Sequence, residues 1–164
     1  MPLDLRGSCR CGAVAFSVST HTPVPYQLCY CSICRKTAGG GGYAINIMGS
    51  HRSLTLDRND AVGIYRAALE QPDGSCRISK GQRHFCTRCA TALWLWDETW
   101  PDLVHPLASA IDTELPAPTE RTHIMLRFKP AWVEPRFGPK DKRFDLYPDQ
   151  SIENWHKSRG LWIE

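Results

Sequence analysis

Eight cysteines dominate the chemistry of this 164-residue chain, and seven of them fall into three tight clusters. Clustered cysteines of this kind are typical of zinc sites, because thiolates are strong zinc ligands. Cys76 alone stands apart, in a strand-like stretch where we expect an ordinary buried or half-buried thiol. The clusters are Cys9-x-Cys11, Cys29-x-Cys31-x-x-Cys34 and Cys86-x-x-Cys89.

The sizes of the clusters predict how they divide between metal ions. A closed structural zinc takes four protein ligands, whereas an open zinc keeps three and leaves one position for a ligand. Two pairs and one triplet therefore predict two zinc ions. The structural site consists of Cys9, Cys11, Cys86 and Cys89. The open site, which would carry the function, consists of Cys29, Cys31 and Cys34.

Other interpretations of these cysteines stay open. The four cysteines could be reduced core thiols or a redox couple. The triplet could be a closed site completed by a histidine or an acidic residue elsewhere, or a reactive thiol cluster without metal. We expect each of the six histidines to be a surface or packing residue rather than a ligand, and His84, two residues before Cys86, is the strongest candidate for an exception.

An open zinc site permits a specific chemistry. Zinc acts as a Lewis acid that binds a thiolate or polarises a carbonyl oxygen. The glycine run 39–42 either lets the backbone approach a ligand closely or is only a connector. Basic residues near the cysteines in sequence are candidates for binding a ligand's carboxylates. They are Arg35, Lys36, Lys80 and Arg83.

Length and composition predict one soluble domain over residues 1–164. The net charge of +3, from 20 basic and 17 acidic residues, is too small an excess to indicate nucleic-acid binding, for which clustered basic residues are typical. No apolar run approaches the ~20 residues that cross a bilayer, and the N-terminus lacks the features of a signal peptide. We therefore expect a cytoplasmic protein, where clustered cysteines hold metal more often than disulfides.

Short apolar runs between twelve prolines and twelve glycines predict a mainly β domain. Two short helices are also predicted: one capped by Ser32 and ending at the glycine run, the other capped by Ser151 and ending at Gly160. The predicted strands lie within 13–18, 43–47, 54–56, 62–65, 93–96 and 124–128.

The cysteine clusters and their neighbours resemble the glutathione-dependent formaldehyde-activating enzyme (GFA) family, which includes a centromere protein V branch. The similarity spans roughly residues 7 to 132, and the order and spacing of the clusters match. Its main segments are Gly7–Val14, Cys29–Lys36 and His84–Cys89, with weaker matches at Ala110–Asp112, His123–Ile124 and Trp132.

The resemblance implies an Mss4-like β-tent of short antiparallel strands stapled by a structural zinc, with a second, three-cysteine zinc. It also implies condensation of formaldehyde with glutathione, a carbon–sulfur lyase activity. Two features depart from the family pattern. Ala90 replaces the glycine that commonly follows the last cysteine, and Leu28 and Tyr30 predict a bulky rim around the triplet.

Three functions are compatible with this reading. The first is an enzyme of thiol–aldehyde adducts that uses the triplet zinc, with glutathione or a related thiol as its partner. The second is a non-catalytic module that binds glutathione, another thiol or zinc itself. The third is an interaction domain for protein or nucleic acid, held together by zinc. For this function we expect a basic tail, which this sequence lacks.

Overall fold

A computed structural model describes residues 1–164 and confirms a mainly β architecture. Fourteen short strands form four small sheets, and two seven-residue helices accompany them. The strands are β1 Leu3–Ser8, β2 Val14–Thr20, β3 Gln27–Cys29, β4 Ala44–Ile45, β5 Gly49–Ser50, β6 Thr55–Asn59, β7 Val62–Tyr65, β8 Ala68–Glu70, β9 Cys76–Ile78, β10 Gly81–Cys86, β11 Ala92–Asp97, β12 Leu103–Pro106, β13 Thr122–Ile124 and β14 Lys142–Arg143. The helices are α1 Ser32–Ala38 and α2 Ile152–Ser158.

The main core lies between a three-stranded sheet, ordered β1-β2-β6, and a five-stranded sheet, ordered β5-β12-β11-β10-β7. Alternate residues of β2 are buried, as expected for a strand with one face on the core. Phe16 of β2 meets Trp94 of β11 edge to face, with ring centroids 5.1 Å apart. Burial of such large side chains supplies much of the free energy of folding.

A four-stranded sheet, ordered β14-β13-β3-β4, carries the triplet. Its central strand β13 pairs in parallel with β3 and with β14, whereas every other strand pair in the protein is antiparallel. The remaining sheet is the hairpin β8-β9. The expectation of antiparallel strands therefore holds except around β13.

Helix α1 begins one residue earlier than the sequence predicts. Cys31, and not Ser32, is its N-cap, because the Cys31 sulfur accepts a hydrogen bond from the backbone N–H of Cys34 at 3.3 Å. The helix ends at Gly39, as expected from the glycine run. The cap of α2 is confirmed, since the Ser151 hydroxyl accepts from the N–H of Asn154 at 3.1 Å.

The predicted strand over 124–128 is wrong beyond Ile124. Met125 adopts a left-handed conformation with φ of 60°, and residues Leu126–Phe128 form a single turn of 3₁₀ helix. Extended backbone cannot continue through a left-handed residue, so β13 ends there. The helices of this protein are all too short, or too polar, to cross a membrane.

Tyr30 lies between two cysteines of the triplet and points into the core, where it is 1% exposed. Its hydroxyl lies 2.9 Å from Nδ1 of His123, whose Nε2 lies 3.3 Å from the Asp141 carboxylate. Because the carboxylate accepts from Nε2, Nδ1 is free to accept from the tyrosine. The predicted bulky rim at Tyr30 is therefore wrong. Its side chain is buried in the core and holds the segment between Cys29 and Cys31 through the hydrogen bond to His123.

We expect Tyr30→Phe to lower the free energy of unfolding by about 1–3 kcal/mol, because it leaves a buried imidazole nitrogen without a partner. Urea denaturation of the wild type and the variant measures the difference. Tyr43→Phe is the matched control, since the half-buried Tyr43 hydroxyl has no protein partner, and its effect should stay within about 0.5 kcal/mol. Equal stabilities of the two variants would contradict the anchoring role.

Candidate metal centres and the adjoining cavity

The four-cysteine cluster forms where two hairpins meet. Cys9 and Cys11 lie in the β1–β2 connection, while Cys86 ends β10 and Cys89 lies in the turn before β11. All four sulfurs lie within 4.8 Å of one another. The Sγ–Sγ distances are 3.6 Å for Cys9–Cys11 and 3.7 Å for Cys11–Cys86. Tetrahedral zinc with bonds of ~2.3 Å needs sulfurs ~3.8 Å apart, so this donor set fits zinc.

A tight turn brings the first pair of sulfurs to the same side. The N–H of Gly12 donates to the Cys9 carbonyl at 3.0 Å, and Gly12 has a φ of +78°. On a straight strand the two cysteines would be ~6.6 Å apart, too far to share a metal. The Cys9 sulfur also accepts from the N–H of Val14 at 3.2 Å, which favours its thiolate form.

The second pair of sulfurs depends on a strained turn. Ala90 has a φ of +59°, and its N–H donates to the Cys86 carbonyl at 2.8 Å. Next to it, the Thr91 hydroxyl lies 3.2 Å from the Cys89 sulfur. This hydrogen bond, together with backbone N–H groups, lowers the pKa of Cys89 to about 5. The thiolate that zinc requires is thereby favoured.

The triplet forms where β3 runs into α1. Cys29 ends β3, Cys31 caps the helix and Cys34 lies in its first turn. The three sulfurs lie within 4.8 Å of one another, and no histidine or carboxylate joins the group. Hydrogen bonds from Cys29 and Cys34 lower the pKa of Cys31 to about 2, and the bonds to Cys31 and Cys34 raise the pKa of Cys29. This arrangement could hold a metal with one position left open.

The three sulfurs face a cavity of about 550 Å³. The Arg83 guanidinium reaches the Cys34 sulfur at 3.7 Å, so a positive charge lies against the triplet. Lys80 also lines the cavity and pairs with Glu98 at 3.2 Å. Other residues of the lining carry charge, polar groups or an imidazole. They include Gln27, Asn46, Arg77, Asp97 and His105.

Two of the four candidate basic residues lie at the triplet cavity. Lys80 and Arg83 line the triplet cavity, but Arg35 and Lys36 line a different cavity of about 760 Å³ beside Cys9. That second cavity is larger, yet none of the triplet cysteines borders it. The smaller cavity is therefore the candidate site. The glycines 39 and 40 also border the larger cavity, and no residue of the run 39–42 lines the triplet cavity.

Of two single-residue expectations, the one for Cys76 is wrong. His84 stacks on Trp94, with ring centroids 4.8 Å apart, and belongs to neither cysteine group, as expected of a packing histidine. Cys76 is exposed on β9, where we expected a buried or half-buried thiol. Conversely, His105 was missed as a candidate because nothing in its local sequence sets it apart. Its place in the cavity follows from the pairing of β12 with β11.

The family model of the glutathione-dependent formaldehyde-activating enzyme matches residues 4–127. The chain belongs to this family. A protein of Halomonas elongata bears the same enzyme name provisionally. It is 54% identical to this chain over 157 residues, which cover 96% of this chain and 97% of the relative. A crystal structure of a Rhodobacter sphaeroides protein aligns with a TM-score of 0.49 and 20% identity, covering 69% of this chain and 99% of that one. The resemblance predicted from the cysteine clusters is thus confirmed.

Ala90, where the family commonly has glycine, adopts a left-handed backbone conformation that favours glycine. A left-handed conformation costs a non-glycine residue roughly 1–2 kcal/mol. Replacing it with glycine removes this cost, but the greater conformational freedom of glycine in the unfolded chain offsets part of the gain. We expect Ala90→Gly to raise the melting temperature by about 2 °C, measured by thermal unfolding. Ala92→Gly, in strand β11, is the control and should lower it. A loss of stability in both variants would contradict a strained turn.

Proposed function

We propose that this protein is an enzyme of thiol–aldehyde adducts, which joins glutathione or a related thiol to formaldehyde or another small aldehyde. The name of its family and that of the Halomonas relative support this substrate class. The observation that carries the proposal is the triplet of sulfurs facing a cavity, with a guanidinium against one of them. The reaction would place the enzyme among carbon–sulfur lyases.

Two zinc ions are part of this proposal. Cys9, Cys11, Cys86 and Cys89 would hold the structural ion. Cys29, Cys31 and Cys34 would hold the second, which supplies Lewis acidity toward a thiolate sulfur or a carbonyl oxygen when bound. The sulfur-only composition of both groups suits zinc better than magnesium or calcium, which prefer oxygen ligands.

The charged side chains of the cavity would orient the thiol. Arg77, Lys80 and Arg83 line it, against the single carboxylate of Asp97. Glutathione carries two carboxylates and one ammonium group at neutral pH, so this lining is complementary to it in sign. Guanidinium groups bind carboxylates through two parallel hydrogen bonds, which fixes orientation as well as position.

His105 is the side chain that we assign to proton transfer. Burial lowers the pKa of its imidazole, so the ring is neutral near pH 7 and can accept a proton. In the condensation, a new C–S bond forms, the carbonyl π pair moves to oxygen, and the thiol proton must reach that oxygen. The His105 imidazole takes the proton from sulfur and returns it to the oxygen.

We expect the wild type with glutathione and formaldehyde to form S-hydroxymethylglutathione faster than the spontaneous reaction, as followed by magnetisation-exchange NMR. General acid–base catalysis accelerates a reaction about 100-fold or more, so His105→Gln should lower the catalysed rate, after subtraction of the spontaneous rate, about 100-fold. His51→Gln is the matched control, because His51 is exposed and lies outside the triplet cavity. Its rate should equal that of the wild type.

A wild-type rate equal to the spontaneous rate with several thiols would overturn the enzymatic function. Saturable binding of glutathione without a rate effect would instead favour a non-catalytic thiol-binding module. An undiminished rate in His105→Gln would remove His105 from the mechanism and leave the function in place. The three results are therefore distinguishable.

A further inference from the structure

Two buried amide oxygens in the triplet cavity accept no hydrogen bond from another group of the protein. They are Oε1 of Gln27 and Oδ1 of Asn46. Three other buried side-chain atoms of the protein are without a partner, and none of these residues lines this cavity. A buried acceptor without a donor costs roughly 1–3 kcal/mol, so such groups require an explanation. Because both oxygens line the same cavity, both are available to a ligand that enters it.

The register of two strands explains why these amides lie together. Strands β3 and β4 pair antiparallel, with Leu28 opposite Ile45 and Cys29 opposite Ala44. One further step along the same register sets Gln27 opposite Asn46. Because side chains alternate along a strand, Gln27 shares its face with Cys29. The two amides therefore form a cross-strand pair directly beside a triplet cysteine.

The backbone at Asn46 is held in place by an isolated bridge to Leu107, beside which the N–H of Ile47 donates to the Pro106 carbonyl at 2.7 Å. A carboxamide offers an acceptor oxygen and a donor NH₂ group. A peptide group offers an N–H donor for the first and a carbonyl acceptor for the second. Two adjacent carboxamides thus match a peptide group better than they match an aldehyde, which lacks an N–H.

We propose that Gln27 and Asn46 form a subsite that recognises the amide of a peptidyl thiol. This inference rests on the proposed function and specifies its substrate. The N–H groups of the ligand donate to Oε1 and Oδ1, while Arg77 and Arg83 receive its carboxylates and its sulfur lies at the triplet. The enzyme then selects a thiol whose cysteine lies within a peptide, and it discriminates against simple thiols.

The test compares two thiols on the zinc-loaded protein by calorimetry. Glutathione contains amides and carboxylates, whereas 3-mercaptopropionate has a carboxylate and no amide. In Gln27→Met and Asn46→Leu, which keep side-chain size, the affinity for glutathione should fall about 10-fold or more, because each loses one to two ligand hydrogen bonds. The affinity for 3-mercaptopropionate should change less than about twofold. Gln82→Met, outside this cavity, is the control.

A second measurement separates recognition from a structural role. The ligand-free variants should melt at a temperature equal to or a few degrees above that of the wild type, because an unpaired buried amide has been replaced by an apolar group. A purely structural amide would instead give a lower melting temperature.

Equal losses for both thiols, no loss for either, or a wild type that fails to prefer glutathione would each overturn the subsite. A wild type that binds glutathione with the predicted preference but does not accelerate adduct formation would overturn the proposed function and leave the subsite standing.

Discussion

The convergence of four sulfurs within 4.8 Å is the constraint on which the rest of the molecule depends. It joins the connection after β1 to the end of β10, two segments separated by 75 residues between Cys11 and Cys86. Four cysteines so close together cannot all be thiolates without a cation, because like charges at this distance repel strongly. A metal at this site would therefore couple directly to folding. The Phe16–Trp94 contact joins the same two hairpins through apolar surface, between β2 and β11.

Strand β10 connects the four-cysteine group to the triplet cavity. Strand β10 contributes Arg83 to the triplet cavity and, three residues later, Cys86 to the four-cysteine group. Three residues of extended chain span about 10 Å, so fixing Cys86 also restrains the backbone that carries Arg83. On the other side, the buried Tyr30 holds the segment between Cys29 and Cys31. The cavity is thus positioned by groups that do not themselves touch a ligand.

Sequence reasoning recovered what depends on local spacing. The cysteine grouping followed from counting ligands, and the Ser151 cap followed from helix chemistry. It failed where distant segments decide. His105, Gln27 and Asn46 meet at the cavity only because separate sheets place them there. The early start of α1 was missed because a cysteine sulfur, a weak acceptor, takes the capping role that serine usually fills.

Zinc content and circular dichroism of the purified protein and of two variants test the division between the two cysteine groups. We expect two zinc ions per chain in the wild type, and one in Cys31→Ser with the β signal and cooperative melting retained. Cys86→Ser should lose the folded state, because its sulfur belongs to the group that joins the two hairpins. One zinc in the wild type, or unfolding of Cys31→Ser to the same extent as Cys86→Ser, would contradict the division between a structural and a functional site.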